Sequence, residues 1–247
     1  MTRFAGGGAE AGGPALLVIA GPCVIESAEQ CLEVAGRLRD LCAARGLPYV
    51  FKASYRKANR SSGRSFAGLG LDEALGVLAR VGRETGVPVL TDVHETGEVA
   101  AAAEVADALQ IPAFLCRQTA LLEAAARSGR AVNVKKGQFL APADMGHAVG
   151  KLRAAGGERI LLTERGTSFG YGDLVVDMRG LVVMRELGWP VVFDATHSLQ
   201  RPGGAETGGD RRFAFPLMRA AVACGVDGLF LDCHPDPARA RSDAATQ

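Results

Sequence analysis

Three segments of this chain repeat one local design: Gly46-Leu47-Pro48-Tyr49-Val50, Gly86-Val87-Pro88-Val89-Leu90 and Gly188-Trp189-Pro190-Val191-Val192. Glycine closes a helix, proline forbids its continuation, and the β-branched or aromatic run that follows favours strand. The repeating unit is therefore helix, then strand. Extending it along the sequence gives eight short apolar runs, at 15–20, 48–53, 88–93, 108–112, 131–135, 159–163, 191–195 and 228–232. Their hydrophobicity is nearly continuous rather than alternating, as in strands covered on both faces in a parallel sheet. Amphipathic segments lie between them. In 27–45, Ser27 and Gln30 form a capping-box pattern while Leu32, Ala35, Leu38, Leu41 and Cys42 line one face. The stretch 173–187 behaves alike, through Leu174, Met178, Leu181 and Met184. Eight such units in 247 residues predict an α/β fold, a single (β/α)8 TIM barrel. A doubly wound open sheet is the alternative, but it usually has fewer strands.

No Pro- or Ser-rich linker and no charge block divides the chain, so one domain over 14–247 is expected, after a flexible tail over 1–13. The apolar run "ALLVIAGPC" is too short, and too closely preceded by glycines, for a signal peptide. No run approaches the length of a transmembrane helix, so a soluble protein is expected. A formal net charge of +1 supplies no global field for nucleic acid or an acidic membrane. Any anion site must therefore come from locally clustered Lys and Arg. The six cysteines have no CxxC spacing, which points to reduced thiols in a cytoplasm. The glycines of 201–209 predict a mobile loop after the seventh strand, a lid or an ordinary solvated loop.

In such a barrel the chemistry sits at the C-terminal ends of the strands. Nearly every predicted strand runs into polar residues there: Cys23 and Glu26, then Lys52, Ser54, Lys57 and Arg60, then Asp92 and His94, Gln110 and Arg117, Lys135 and Lys136, Glu164 and Arg165, Asp194 and His197, and Asp232. Lys52, Lys57, Arg60, Lys135 and Arg165 leave different strands yet would meet at one mouth, where Arg forks and Lys point charges suit phosphate and carboxylate groups. Each alone reads equally as a surface charge; together they predict two anionic substrates or one with several charges. Cys23 and His197 offer a thiolate and an imidazole for a divalent metal, provided carboxylates from the last strand join them. Read singly, one is a small buried hydrophobe and the other a hydrogen-bonded core histidine. Strand alternation turns Asp232 into the mouth and Cys233 out toward the helices, with His234 at the rim.

The stretches "AGPCVIES", "FKASYRKANRSS", "LTDVHE", "QIPAFLCRQT", "NVKKGQF", "TERGTSFGYGDLVVDMR" and "FDATHSLQRPGG" resemble the 3-deoxy-D-manno-octulosonate 8-phosphate synthases, and the likeness covers residues 15–247. It implies a cytoplasmic (β/α)8 homotetramer that condenses phosphoenolpyruvate with D-arabinose 5-phosphate for lipopolysaccharide Kdo synthesis. By motif position, Lys52, Ser54, Lys57, Gln110, Lys135 and Arg165 would contact phosphoenolpyruvate, and Asn59, Arg60 and Ser61 the pentose phosphate. "KANRSS" separates this family from the 3-deoxy-heptulosonate 7-phosphate synthases, which resemble "KPRTS" there and accept erythrose 4-phosphate. Cysteine rather than asparagine at position 23 implies the metal-dependent branch, with ligands Cys23, His197, Asp232 and Asp243 for zinc, iron, manganese or a similar divalent ion. Lys57, Cys23, His197 and Asp243 would form the catalytic set. Residue 232 departs from the family pattern, which has Glu. The family also continues past the position of Gln247 with a Leu-rich last helix, which the resemblance implies is missing here.

Two further readings of the residues lie beside this one. Lys135 or Lys136 could serve a Schiff-base aldolase, and the barrel could bind phosphosugars without catalysis.

Overall fold

The computed structural model describes residues 1–4, 9–58, 66, 68–202 and 207–247. Eight strands close a barrel: β1 (Leu17–Gly21), β2 (Tyr49–Lys52), β3 (Val89–Asp92), β4 (Ala108–Ile111), β5 (Ala131–Lys135), β6 (Ile160–Glu164), β7 (Val191–Asp194) and β8 (Gly228–Asp232). Every neighbouring pair, including β8 with β1, runs parallel. All eight apolar runs became strands, and the open-sheet alternative falls with the closure. The helices are α1 (Ala28–Ala43), α2 (Leu71–Thr85), α3 (Val99–Val105), α4 (Thr119–Arg127), α5 (Met145–Ala154), α6 (Met178–Arg185) and α7 (Ala214–Ala223). The three motif glycines take the left-handed conformation the motif demands, with φ of 64° at Gly46, 72° at Gly86 and 82° at Gly188.

Two apolar layers follow from strand alternation. Outward side chains such as Phe51, Leu109, Val134, Leu162 and Phe193 pack under the helices. Inward ones, Ile19, Val50, Leu90, Leu161, Val192 and Phe230 among them, fill the lower barrel. One step nearer the C-terminal ends the inward positions change character: Lys52, Asp92, Gln110, Asn133, Thr163, Asp194 and Asp232 are all buried. That polar layer is where the site is built.

Four expectations need correction. Residues 1–13 are not a flexible tail where they are described. Thr2–Arg3 pairs antiparallel with Glu10–Ala11, Thr2 Oγ1 donates to the Ile160 carbonyl at 2.8 Å, and Phe4, Ala9 and Ala11 join the inner core. The segment plugs the bottom of the barrel, because the inner apolar layer must be kept from water somewhere. The segment 173–187 is not one helix: Thr167–Phe169 pairs with Asp173–Val175, and α6 starts only after Asp177, whose side chain accepts from the Arg179 N–H. In α1, Ser27 caps the Gln30 N–H at 3.2 Å, but Gln30 Oε1 finds no partner among the described residues, so only half of the capping box forms. Leu41 of the same helix is 53% exposed; Cys31 and Val34 take the buried face instead.

Around the expected lid, Gln200–Arg201 pairs with Gly208–Gly209, while 203–206 lie outside the described residues. Past β8 come a short 3-10 turn at Pro237–Arg239 and the loop carrying Asp243. The outward Leu229 and Leu231 of β8 are half-buried, whereas Val191 and Phe193 of β7 are fully covered.

Candidate active site

A cavity of about 580 Å³ opens at the C-terminal mouth of the barrel. Lys52, Lys57, Asp92, His94, Gln110, Lys135, Arg165, His197 and Asp243 are in its wall. The buried Phe230 ring packs against two of these cations, with Lys135 Nζ 3.8 Å and Lys52 Nζ 5.2 Å from the ring centroid. Four of the five cations expected to converge do so. The fifth, Arg60, lies outside the described residues, together with Asn59 and Ser61. Arg117 is exposed and stands away from the cavity wall, and Lys136 and Glu164 turn outward.

The cations are held by buried carboxylates. Lys52 Nζ donates to Asp232 Oδ1 at 2.9 Å and to the Cys23 carbonyl at 3.1 Å. Lys135 Nζ donates to Asp194 Oδ2 at 2.6 Å. Lys57 Nζ donates to Ser54 Oγ at 3.0 Å, and Ser54 in turn donates to Asp92. Gln110 Nε2 also donates to Asp92; its Oε1 accepts from Asn133 Nδ2 at 2.9 Å, and Asn133 Oδ1 accepts from Thr163 Oγ1 at 2.7 Å. One relay thus crosses the barrel from the end of β2 to β6. Ser54 stands behind the cavity wall, where it orients Lys57.

Burial opposes charge throughout, and the neighbours decide the outcome. On Lys57 burial is outweighed by surrounding groups, among them the carboxylates of Asp92, Asp232 and Asp243, which hold the ammonium above its ordinary range. For Asp194, burial is overcome by His197 and Lys135, and the carboxyl lies well below the usual range. Lys135 and Arg165 are both pushed down by burial, in each case against the attraction of Asp194.

Cys23, His197, Asp232 and Asp243 come together from β1, β7, β8 and the last loop, with one candidate ligand atom of each within 4.8 Å of all the others. The hydrogen bonds orient the histidine ring. His197 Nδ1 lies 2.8 Å from Asp194 Oδ2, an acceptor, so Nδ1 carries a proton and Nε2 is the ring nitrogen turned toward the cluster. Nε2 lies 3.5 Å from Asp232 Oδ2, which is buried with no hydrogen-bond partner among the described residues. A divalent cation between these two atoms would take the place of a proton on Nε2. Cys23 Sγ donates to Asp243 Oδ2 at 2.8 Å and lies 3.1 Å from Ser242 Oγ. Burial, then Asp232, pushes the Cys23 thiol far above its usual range, so it is protonated as it stands. Asp243 has φ of 51°, a left-handed conformation that costs a non-glycine residue about 1–2 kcal/mol. A soft thiol, an imidazole whose Nε2 faces the group and two carboxylates fit a divalent transition metal.

On the other side of the mouth, Arg165 Nη2 donates to Gln200 Oε1 at 2.9 Å, while Nη1 is buried without a partner among the described residues. Gln200 Nε2 reaches Asp243 Oδ1 at 2.8 Å, so one amide connects the guanidinium to the candidate metal group. Gln200, Ser242, Asn133 and Thr163 are absent from the residues expected on sequence grounds. The first two adjoin predicted ligands in "HSLQ" and "RSD"; nothing in the local pattern marks the others. As expected, Asp232 turns inward and Cys233 packs on the outer core, its thiol pushed up to about 12 by burial and then Asp232. His234 stands 3.7 Å from Glu26, outside the metal group.

Known proteins share this chain's sequence closely. It is 59% identical over 228 residues to the 2-dehydro-3-deoxyphosphooctonate aldolase of Acidithiobacillus ferrooxidans, covering 92% of this chain and 81% of that one. The protein of the same name from Trichlorobacter lovleyi is 58% identical over 234 residues, 94% of this chain and 86% of the other. That of Koribacter versatilis is 57% identical over 241 residues, 96% and 86% respectively. Residues 6–247 match the DAHP synthetase I family. With nearly its whole length matched, the chain belongs to the DAHP synthetase I family.

Proposed function

We propose that this chain joins phosphoenolpyruvate, D-arabinose 5-phosphate and water to give 3-deoxy-D-manno-octulosonate 8-phosphate and inorganic phosphate, a transferase step in lipopolysaccharide Kdo synthesis. The observation that carries the reading is a pair of buried polar atoms with no hydrogen-bond partner among the described residues: the guanidinium nitrogen Arg165 Nη1 and the carboxylate oxygen Asp232 Oδ2. The first suits a phosphate ester and the second a divalent cation. The common name of relatives 57–60% identical supports the choice of product.

In this reading Lys52, Ser54, Lys57, Gln110, Lys135 and Arg165 serve phosphoenolpyruvate, and Asn59, Arg60 and Ser61 the pentose phosphate. C3 of the enol bonds to the aldehyde carbon, water adds at C2, and the C2–O bond to phosphate breaks. The former aldehyde oxygen ends protonated at the expense of that water. Lys52, Lys57, Lys135 and Arg165 offset the repulsion between two anions and fix their approach, an orientational and electrostatic contribution. Zinc, iron, manganese or a similar ion, held by Cys23, His197, Asp232 and Asp243, would polarise the aldehyde or lower the pKa of a bound water. Lys57, Cys23, His197 and Asp243 form the catalytic set.

The Schiff-base alternative is disfavoured because Lys135 is ion-paired with Asp194 and Lys136 leaves the mouth. A cytoplasmic homotetramer completes the proposal. Six free cysteines support the compartment, and exposed Phe139, Phe169 and Tyr171 are suited to subunit contact. Among the described residues no helix is long and apolar enough to cross a membrane.

The test is phosphate release from phosphoenolpyruvate with arabinose 5-phosphate against erythrose 4-phosphate, with and without added divalent metal. Turnover with arabinose 5-phosphate is expected. Preference for erythrose 4-phosphate would move the chain to the heptulosonate branch, and turnover with neither would leave a binding barrel.

A further inference from the structure

The two cations that face the phosphoenolpyruvate side of the mouth each have a charged neighbour facing the other way. Lys135 points into the cavity and Lys136 out of it; Arg165 points in and Glu164 out. β5 and β6 lie side by side, with Lys135 opposite Thr163 and the Lys136 N–H on the Thr163 carbonyl at 2.8 Å. The two outward residues therefore meet. Lys136 Nζ lies 3.5 Å from Glu164 Oε1, and both side chains are sealed from solvent, Lys136 at 0% and Glu164 at 3% exposure.

Neither partner is spare. Lys136 Nζ also donates to Thr167 Oγ1 at 3.0 Å and to the carbonyls of Gly137 at 3.2 Å and Leu140 at 3.4 Å. Glu164 Oε1 accepts the Arg165 N–H at 3.0 Å and the Gly166 N–H at 2.7 Å. Gly166, at φ of 95°, turns the chain immediately after Arg165. One carboxylate oxygen thus fixes the turn that aims the Arg165 guanidinium, and the ammonium it pairs with ties that turn to the backbone beyond Lys135. A buried ion pair contributes little net stability against an apolar pair of similar volume, so stability alone is a weak reason for this one. What it does fix is the spacing of two anion-binding side chains on adjacent strands.

We infer that Lys136 and Glu164 are positioning residues that set the distance between Lys135 and Arg165 for a single phosphate-bearing anion. This rests on the proposed use of Lys135 and Arg165 for phosphoenolpyruvate. The prediction is a selective loss: phosphoenolpyruvate binding weakens, and arabinose 5-phosphate, held by other residues, is unaffected.

The experiment compares the full chain with K136M, E164Q and the charge-balanced double variant K136M/E164Q, whose amide oxygen can still accept both backbone N–H groups. Calorimetric titration with phosphoenolpyruvate in the absence of sugar reads binding without turnover, and steady-state kinetics read KM for each substrate. Phosphoenolpyruvate affinity is expected to fall about tenfold, as a sub-ångström misplacement of binding groups allows, while KM for arabinose 5-phosphate stays within about twofold. If a single variant fails to fold, the double variant, with no uncompensated charge, carries the test. A double variant that melts like the parent and binds phosphoenolpyruvate as tightly overturns the inference, as does an equal loss for both substrates. Absence of turnover or phosphoenolpyruvate binding in the unmodified protein would instead overturn the functional reading on which the inference stands.

Discussion

Asp232 divides one short carboxylate between two duties. Oδ1 holds the buried ammonium of Lys52 at 2.9 Å, and Oδ2 is left facing His197 Nε2. Replacing it by Asn removes the negative charge beside a lysine with 1% exposure. D232N should lose about 3–5 kcal/mol of unfolding free energy by denaturant titration, the usual cost of stranding one member of a buried pair. A loss below about 1 kcal/mol would mean that Lys52 is compensated by other groups. Cys23 supports a second prediction. Because burial and Asp232 keep its thiol protonated, a divalent ion binding there must expel that proton. The apparent metal affinity should therefore rise with pH between 6 and 8, by about tenfold per unit for one proton released. Chelator-competition titrations measure it; a flat profile would remove Cys23 from the ligand set. At this scale the sequence carried much of the site. Cys23, His197 and Asp232 stand at or just past the ends of apolar runs, where a polar residue is conspicuous, whereas Asp243 entered the set only through the family resemblance. Gln200, Ser242, Asn133 and Thr163 were invisible because a neutral polar side chain looks the same in a relay as on a surface, and only the closed barrel brings Asn133 to Gln110.

Among the elements, strands were easier to read than helices for a physical reason. A strand covered on both faces must be apolar at every position, whereas a helix covered on one face shares its pattern with hairpins and turns. The segment 173–187 illustrates this: Leu181 and Met184 are buried on α6, but Leu174, in the same apparent stripe, belongs to a hairpin that Asp177 separates from the helix. The inward-facing ends of the strands were legible for the same reason, since Lys52, Asp92 and Asp232 interrupt apolar runs. Close packing between strands was not. A Cβ on Gly21, at the end of β1, would overlap the Lys52 carbonyl on β2. G21A should therefore push β2 outward, cost about 1–3 kcal/mol as overpacking does, and displace Lys52 from Asp232. The check is the denaturation midpoint together with phosphoenolpyruvate affinity. A variant with unchanged values for both would mean that β1 and β2 can separate without moving the site.

For the molecule as a whole, the candidate metal group joins the two ends of the barrel. Cys23 follows the first strand and Asp243 lies beyond the last, 220 residues later, and the contact between them is a single thiol–carboxylate hydrogen bond at 2.8 Å. A parallel barrel closes only when β8 meets β1, so a ligand that bridges these segments acts on the whole fold rather than on one loop. A divalent ion that binds the native site and not the unfolded chain, at about a hundred times its dissociation constant, adds about 2.7 kcal/mol. At about 2–4 °C per kcal/mol for a chain of this size, that is a rise in Tm of about 5–10 °C. Differential scanning calorimetry before and after chelation should show a drop of that size in the unmodified protein. The drop should be absent in C23A, which lacks the thiolate but leaves the barrel strands intact. If chelation lowers Tm equally in both, the ion binds elsewhere. If it lowers neither, the loop bearing Asp243 is held to the barrel without a metal, by contacts such as Gln200 Nε2 to Asp243 Oδ1 and the Arg241 N–H to Glu26 Oε1, and the four residues form a hydrogen-bonded cluster.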